Sequence, residues 1–299
     1  MELKRKLSLF FAFAIVLILA TASFAMLVAA KYPGYIEDEV GGKIYLKQSP
    51  QRIVSCMPSI TEMLFAIGLE DRVVGVTLNC DYPPEAKQKE KVGRMTMNIE
   101  KILSLEPDLV VMLAGAQSKD IIKLKKHNLP VYVISPDIYV RQVMSSIGNL
   151  GRVTGNTKEA EALVNDMHAR LEKIRAQIGT EETKSVIVIV GTNPLIVAGS
   201  GTFIEDMVKN AGGRNIANQN GIPWPQYSLE RIIIEDPDVI IIAKGIAEGK
   251  KGIYNDRRWQ SLKAVKNDRV LVVDADLISR PGPRVVDVVE QIAKFLHNI

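Results

Sequence analysis

TKEAEALVNDMHARLEKIRAQI, residues 157–178, contains neither glycine nor proline. Within it Ala160, Leu163, Val164, Met167, Leu171 and Ile174 recur at spacings of three and four, the interval that puts side chains on one face of an α-helix. The stretch predicts one long amphipathic helix, spanning about 33 Å at 1.5 Å per residue. On both sides the pattern changes to short apolar runs, each followed by a turn and an amphipathic segment. Before the helix, and after a polar stretch from Lys31 to Gln51, strands are predicted at 52–55, 73–76, 109–113 and 131–134. Helices are predicted from 59 to 68 and at about 99–105, 118–127 and 138–153. After it, strands are predicted at 185–190, 238–242 and 270–273, with helices at about 202–211, 228–235, 254–262 and 283–297. Such alternation needs crossover connections, hence parallel sheets covered on both faces. The expected fold is α/β: two doubly wound lobes, 31–153 and 181–299, joined by the single helix within 154–180.

The two halves repeat each other. Asn98-Ile99-Glu100-Lys101-Ile102-Leu103 leads to Glu106-Pro107-Asp108-Leu109-Val110-Val111. Ser228-Leu229-Glu230-Arg231-Ile232-Ile233 leads to Asp236-Pro237-Asp238-Val239-Ile240-Ile241, every position offset by 130. Asn98 and Ser228 are N-cap residue types. Glu100 and Glu230 fall in the first turn, where the helix dipole favours an anion. Each proline ends a short helix and leads into a strand. Helix capping explains each copy by itself, but not why both copies place a carboxylate at the same point.

Composition narrows the function. The chain has 299 residues, 47% apolar and 24% charged, the balance of a protein with a buried core. Its net charge is +4, half of it carried by the first thirty residues. The remainder lacks the basic excess of a nucleic-acid binder. Lys4-Arg5-Lys6 precedes an uncharged run from Leu7 to Ala30, which reads as an export signal, or as an anchor if it is not cleaved. No cysteine occurs before Cys56, so a lipid-bearing N-terminal cysteine is not expected. Cys56 and Cys80 each follow a predicted strand, and they read as a disulfide or as two buried thiols. His127, His168 and His297 are scattered, and no metal-ligand spacing or Gly-x-Ser-x-Gly motif occurs. No metal site, catalytic set or cofactor is therefore expected.

Several motifs, taken in order, resemble the substrate-binding proteins of ABC importers for cobalamin, haem and ferric siderophores. These are Pro50-Gln51-Arg52-Ile53-Val54-Ser55, Pro58-Ser59-Ile60-Thr61-Glu62, Cys80-Asp81-Tyr82-Pro83, Asn98-Ile99-Glu100, Gly212-Gly213-Arg214-Asn215 and Ser228-Leu229-Glu230. The resemblance covers about residues 35–299 and implies the class III periplasmic binding fold. Asp81-Tyr82-Pro83-Pro84-Glu85-Ala86, Asn193-Pro194, Ile222-Pro223-Trp224-Pro225-Gln226 and the run Asp276, Arg280, Pro283-Arg284 are most similar to the cobalamin-binding branch. That likeness implies a corrinoid held between the lobes, with Trp224 as an aromatic wall and Asp276 and Arg280 bonding its amide side chains. It also implies a permease dimer with ATPase subunits as partner, met by Glu100 and Glu230, and an extracytoplasmic location.

Two positions depart from that branch. Arg94 stands where an aromatic side chain is usual, and Ile196 replaces the aromatic after the second-lobe Asn-Pro. Each candidate also has a plainer structural reading. Trp224, between two prolines, reads as a stacking platform or as a plug against its own lobe. Asp276 and Arg280 read as ligand contacts near a strand's carboxyl end or as a surface ion pair. Tyr82 follows a strand in the same way. Arg94 bonds a carboxamide, phosphate or carboxylate, or caps a helix. With no base, nucleophile or cofactor loop in sight, a capture protein is expected rather than an exported enzyme.

Overall fold

The structure, a computed structural model, describes residues 32–115, 117–136, 139–179, 182–217, 221–246 and 250–299. The apolar segment read as a signal or anchor, 1–30, lies outside the described residues. The chain enters through a hairpin of β1 (Gly34–Glu37) and β2 (Lys43–Leu46), where the sequence pattern suggested only a polar stretch. Ile36, Ile44 and Leu46 turn inward, while Tyr35 and Tyr45 pair across the strands on the outer side with ring centroids 5.2 Å apart. Four-residue strands bearing lysine and glutamate outside give too short an alternation to read.

The first sheet follows in parallel order β5-β4-β3-β6-β7. It contains β3 (Ile53–Ser55), β4 (Val73–Val76), β5 (Glu90–Lys91), β6 (Leu109–Leu113) and β7 (Val131–Ile134). Helices α1 (Pro58–Ala66), α2 (Ile99–Ser104), α3 (Ser118–Lys126) and α4 (Val140–Thr154) cover it. The linking helix α5 runs over Thr157–Ile178, as the spacing predicts. The second sheet has β8 (Lys184–Thr192), β10 (Gly213–Asn215), β11 (Val239–Ala243) and β12 (Val270–Val273), parallel in the order β10-β8-β11-β12. One strand departs from the parallel pattern: β9 (Leu195–Val197) folds back antiparallel on β8. The second lobe's helices are α6 (Phe203–Asn210), α7 (Leu229–Glu235), α8 (Lys250–Asn255), α9 (Lys263–Lys266), α10 (Ala275–Ser279) and α11 (Val285–His297).

The helix expected at 254–262 is not continuous. It stops at Asn255, where Asp256 accepts the Arg258 backbone N–H at 3.0 Å and turns the chain. A short 3₁₀ turn, Trp259–Ser261, then buries Trp259 in the second lobe.

Each sheet is apolar on both faces. In the first, Ile53, Val111 and Tyr132 face one cluster and Val54, Val110 and Val133 the other. In the second, Val186, Val188 and Ile241 face one side and Ile187, Ile189 and Ile240 the other. The inner faces belong to a single cluster that crosses the molecule through α4, α5 and α11. Helix α5 contributes buried Ala160, Met167, Leu171 and Ile174 to it, with Leu163 and Val164 packed at its margin. At its start, α5 lies so close to α4 that a Cβ on Gly151 would collide with the Ala160 methyl. Further along, Arg170 pairs with Asp287 at 2.6 Å and Glu290 at 2.9 Å on α11. The lobes therefore share one core as well as one helix.

The repeated unit has a structural role in both lobes. Asn98 and Ser228 accept the backbone N–H groups of Lys101 at 2.9 Å and Arg231 at 3.2 Å, capping α2 and α7. Glu106 and Asp236 end these helices with φ of 47° and 36°, in the left-handed region. Asp108 then accepts from the N–H groups of Gln51 and Arg52, at 2.7 and 2.9 Å. Its counterpart Asp238 accepts from the Ser185 N–H and hydroxyl, at 2.7 and 2.6 Å. In each lobe the aspartate secures the start of the neighbouring central strand.

The disulfide alternative for Cys56 and Cys80 is not what the structure has: both are free, buried thiols. Cys56 packs with Val54 and Met112, whereas Cys80 packs in the shared core. Thr61 donates to the Cys80 sulfur at 3.1 Å, and the Thr77 hydroxyl also lies 3.1 Å from it. Burial, with Cys80 beside it, pushes the Cys56 thiol well above its ordinary range.

Candidate functional site

The carboxyl ends of the strands in both lobes face a common cleft, the place where open parallel sheets gather ligands. One part of it is an apolar hollow of about 600 Å³ between the lobes, within the range of small-molecule sites. Leu113, at the end of β6, and Pro136, just after β7, line it from the first lobe. Ile246, Ile278, Pro281 and Trp224 line it from the second.

Trp224 is placed by its own segment. Val197 and Gly199 donate backbone hydrogen bonds to the carbonyls of Pro225 at 3.2 Å and Pro223 at 2.8 Å. Only glycine fits at 199, because a Cβ there would collide with the Ile222 carbonyl and the Pro225 ring. The tryptophan is held from both sides yet stays 52% exposed, so it is not a plug against its own lobe. Ile196 lies half-buried on β9 beside Gln226.

The other part of the cleft is charged. Glu62, in α1, projects from the first lobe with only 2% of its side chain exposed. Arg284, from the second lobe, grips it as a fork: Nε to Oε2 at 2.8 Å and Nη2 to Oε1 at 2.6 Å. The Arg284 guanidinium also covers one face of Tyr82, 3.7 Å from the ring centroid. Arg280 reaches Glu62 at 3.3 Å and Asp81 at 2.7 Å through Nη1. Through Nη2 it reaches Asp276 at 2.9 Å and the Asn79 carbonyl at 3.4 Å. Partial burial raises the Asp81 carboxyl, but the hydrogen bond and charge of Arg280 outweigh it and hold the group below its usual range.

Tyr82, Asp276 and Arg280 thus lie in one cluster, and the Arg280 charge is met by the carboxylates of Glu62, Asp81 and Asp276. Its Nη1 donates to Glu62 and Asp81 and its Nη2 to the Asn79 carbonyl, while Asp276 pairs with Nη2 by charge. The free lone pairs belong to Asp81 and Asp276, whose side chains are 47% and 53% exposed. Of the expected contacts, Trp224 alone lines the apolar hollow. Arg94 is exposed on the loop after β5, where the Gly93 carbonyl accepts the Leu78 N–H at 2.8 Å. It caps no helix and has no ion pair among the described residues.

Sequence reading missed Glu62, Asp81 and Arg284 as site residues. Glu62 did carry a signal, a lone carboxylate between Ile60 and Met63-Leu64 on an otherwise apolar helix face. Glu100 and Glu230 are exposed in the first turns of α2 and α7. The Glu230 backbone N–H and the Ser228 hydroxyl hold the Glu230 carboxyl below its ordinary value.

Two α/β lobes that share a core, a continuous linking helix and a cleft at their strand ends define a class III periplasmic-type binding protein. The chain belongs to the periplasmic binding protein family, whose model matches residues 53–277. It is 37% identical over 274 residues to an uncharacterized ABC transporter substrate-binding lipoprotein of Bacillus subtilis, covering 89% of this chain and 86% of that one. The solved structure of the periplasmic vitamin B12 binding protein of Vibrio cholerae superposes with a TM-score of 0.72 at 31% identity. That match covers 83% of this chain and 97% of the other. A periplasmic heme-binding protein of Roseiflexus sp. RS-1 gives 0.73 at 26% identity, covering 83% and 98%. The protein is an ABC transporter substrate-binding protein of the vitamin B12, haem and siderophore type. Proteins of this class work with permease and ATPase components and bind their ligand without converting it.

Proposed function

We propose that the protein captures cobalamin or a related corrinoid in the cleft and hands it to a permease dimer through Glu100 and Glu230. The observation that carries this reading is the pairing of two surfaces in one cleft. Trp224 and the apolar hollow offer area for a flat macrocycle. Beside them, Asp81 and Asp276 offer carboxylate acceptors, while the Arg280 charge is met by three carboxylates. A corrinoid rim bears neutral carboxamides whose N–H groups suit those acceptors. Kinship with a vitamin B12 binding protein supports the same choice.

The test is equilibrium dialysis of the purified protein against cyanocobalamin, with Trp224→Ala alongside. Corrinoid absorbance should be retained by the wild type. Truncating a central aromatic anchor costs about 2 kcal/mol or more, so the variant should bind at least about thirtyfold more weakly. Equal affinity of the two would remove Trp224 from the site.

Haem or a ferric siderophore is the second reading. It is favoured by Arg94, an exposed guanidinium without an ion pair among the described residues and suited to a ligand carboxylate.

A further inference from the structure

Two arginines at a cleft are ordinarily an anion site, because a guanidinium matches a carboxylate or phosphate in shape and charge. Here that potential is cancelled from within. Arg284 spends one fork, Nε and Nη2, on Glu62, and Arg280 bonds Glu62, Asp81 and a backbone carbonyl and pairs by charge with Asp276. The two guanidinium groups face three carboxylates, so the cluster carries a net negative charge. Lys87 adds a positive charge near Asp81 from an exposed position, outside the hydrogen-bonded set. Glu62 is the keystone, because it alone bonds both arginines, and it does so from the opposite lobe while almost wholly buried.

We propose that Glu62 sets the ligand selectivity of the cleft. By occupying Arg280 and Arg284, it turns a would-be anion site into a surface of acceptors that takes neutral, amide-bearing ligands and turns carboxylates away. The proposal rests on the reading that this cleft is the capture site, and it names the ligand chemistry that the site accepts. Asp81 and Asp276 can receive an amide N–H on their outward lone pairs. A ligand carboxylate has no hydrogen to give them and meets their charge at short range in a partly dry cleft. Glu62 acts here as a positioning residue: it reaches the ligand only through the arginines it holds.

The experiment uses ligand pairs that differ in charge at the rim: cyanocobalamin with its monocarboxylate, in which one propionamide is hydrolysed, and haemin dimethyl ester with haemin. Affinities are measured for wild type, Glu62→Gln and Asp81→Asn, with circular dichroism to check folding. Wild type should prefer the uncharged rim in each pair it binds, by about tenfold for one unmet charged contact. Glu62→Gln keeps shape and hydrogen bonding but removes the charge, so the preference should shrink or reverse. A purely structural role for Glu62 would weaken both members of a pair equally. Should Glu62→Gln not fold, Asp81→Asn on the exposed loop tests the same shift.

The proposal is overturned if wild type binds the carboxylate member as well as its partner, or if the ratio is unchanged in the folded variants. Retention of the haem pair without any corrinoid would overturn the corrinoid reading alone, and the ester-to-acid ratio would still decide the role of Glu62. Binding of neither pair overturns both.

Discussion

Asp238 shows how much one side chain does for this architecture. It anchors the start of β8 through Ser185 and pairs with Lys263 at 2.9 Å. Burial opposes its ionisation, but the Ser185 and Lys263 contacts outweigh that and hold its carboxyl at about 2. An unfolded aspartate titrates near 3.9, so its folded pKa is depressed. Its contribution to stability is full above about pH 4 and is lost as pH falls towards 2. Asp238→Asn should therefore flatten the loss of thermal stability between about pH 4 and pH 2, as read from melting curves. An unchanged slope would show that other carboxylates set the acid limit. The cleft follows the same logic with a different purpose. Glu62, Asp81 and Asp276 spend their charge on two arginines, and the most exposed part of the cluster is the carboxylates of Asp81 and Asp276.

Among the elements, α2 and α7 are the most legible in the sequence, because cap, acidic first turn and terminating proline lie within a few residues of one another. The linking helix was legible for the same reason, through spacings of three and four. The hairpin β1–β2 was not, since strands of four residues carry too few alternations. The Glu62–Arg284 contact joins residues 222 apart, and no local pattern encodes such a meeting. Similarly, the order of strands brings Cys56 and Cys80 near each other, but their side chains pack into different clusters. The docking role proposed for Glu100 and Glu230 rests on their matched placement in the two lobes. Converting both to lysine should leave ligand affinity unchanged while abolishing delivery in vesicles that contain the importer. Transport that survives the double reversal would reduce both glutamates to helix-end charges.

For the molecule as a whole, continuity is the governing feature. Helix α5 has no breaker at which to bend, and the apolar cluster it crosses belongs to both lobes. Arg170 and the Glu62 cluster add charged ties across the structure. Spin-label distances between the lobes should therefore change little when ligand is added. A closure of tens of degrees, as in two-lobed proteins hinged on loops, would show that the shared core shears more readily than its packing suggests. Rigidity of this kind suits a protein that offers a preformed cleft and carries its cargo to a fixed docking surface. The ligand itself is decided by presenting cyanocobalamin, haemin and a ferric siderophore together, at equal concentration, to the purified protein and identifying what is retained. One corrinoid per chain, with haemin and siderophore left behind, is the expected result; retention of haemin or the siderophore with no corrinoid would contradict it.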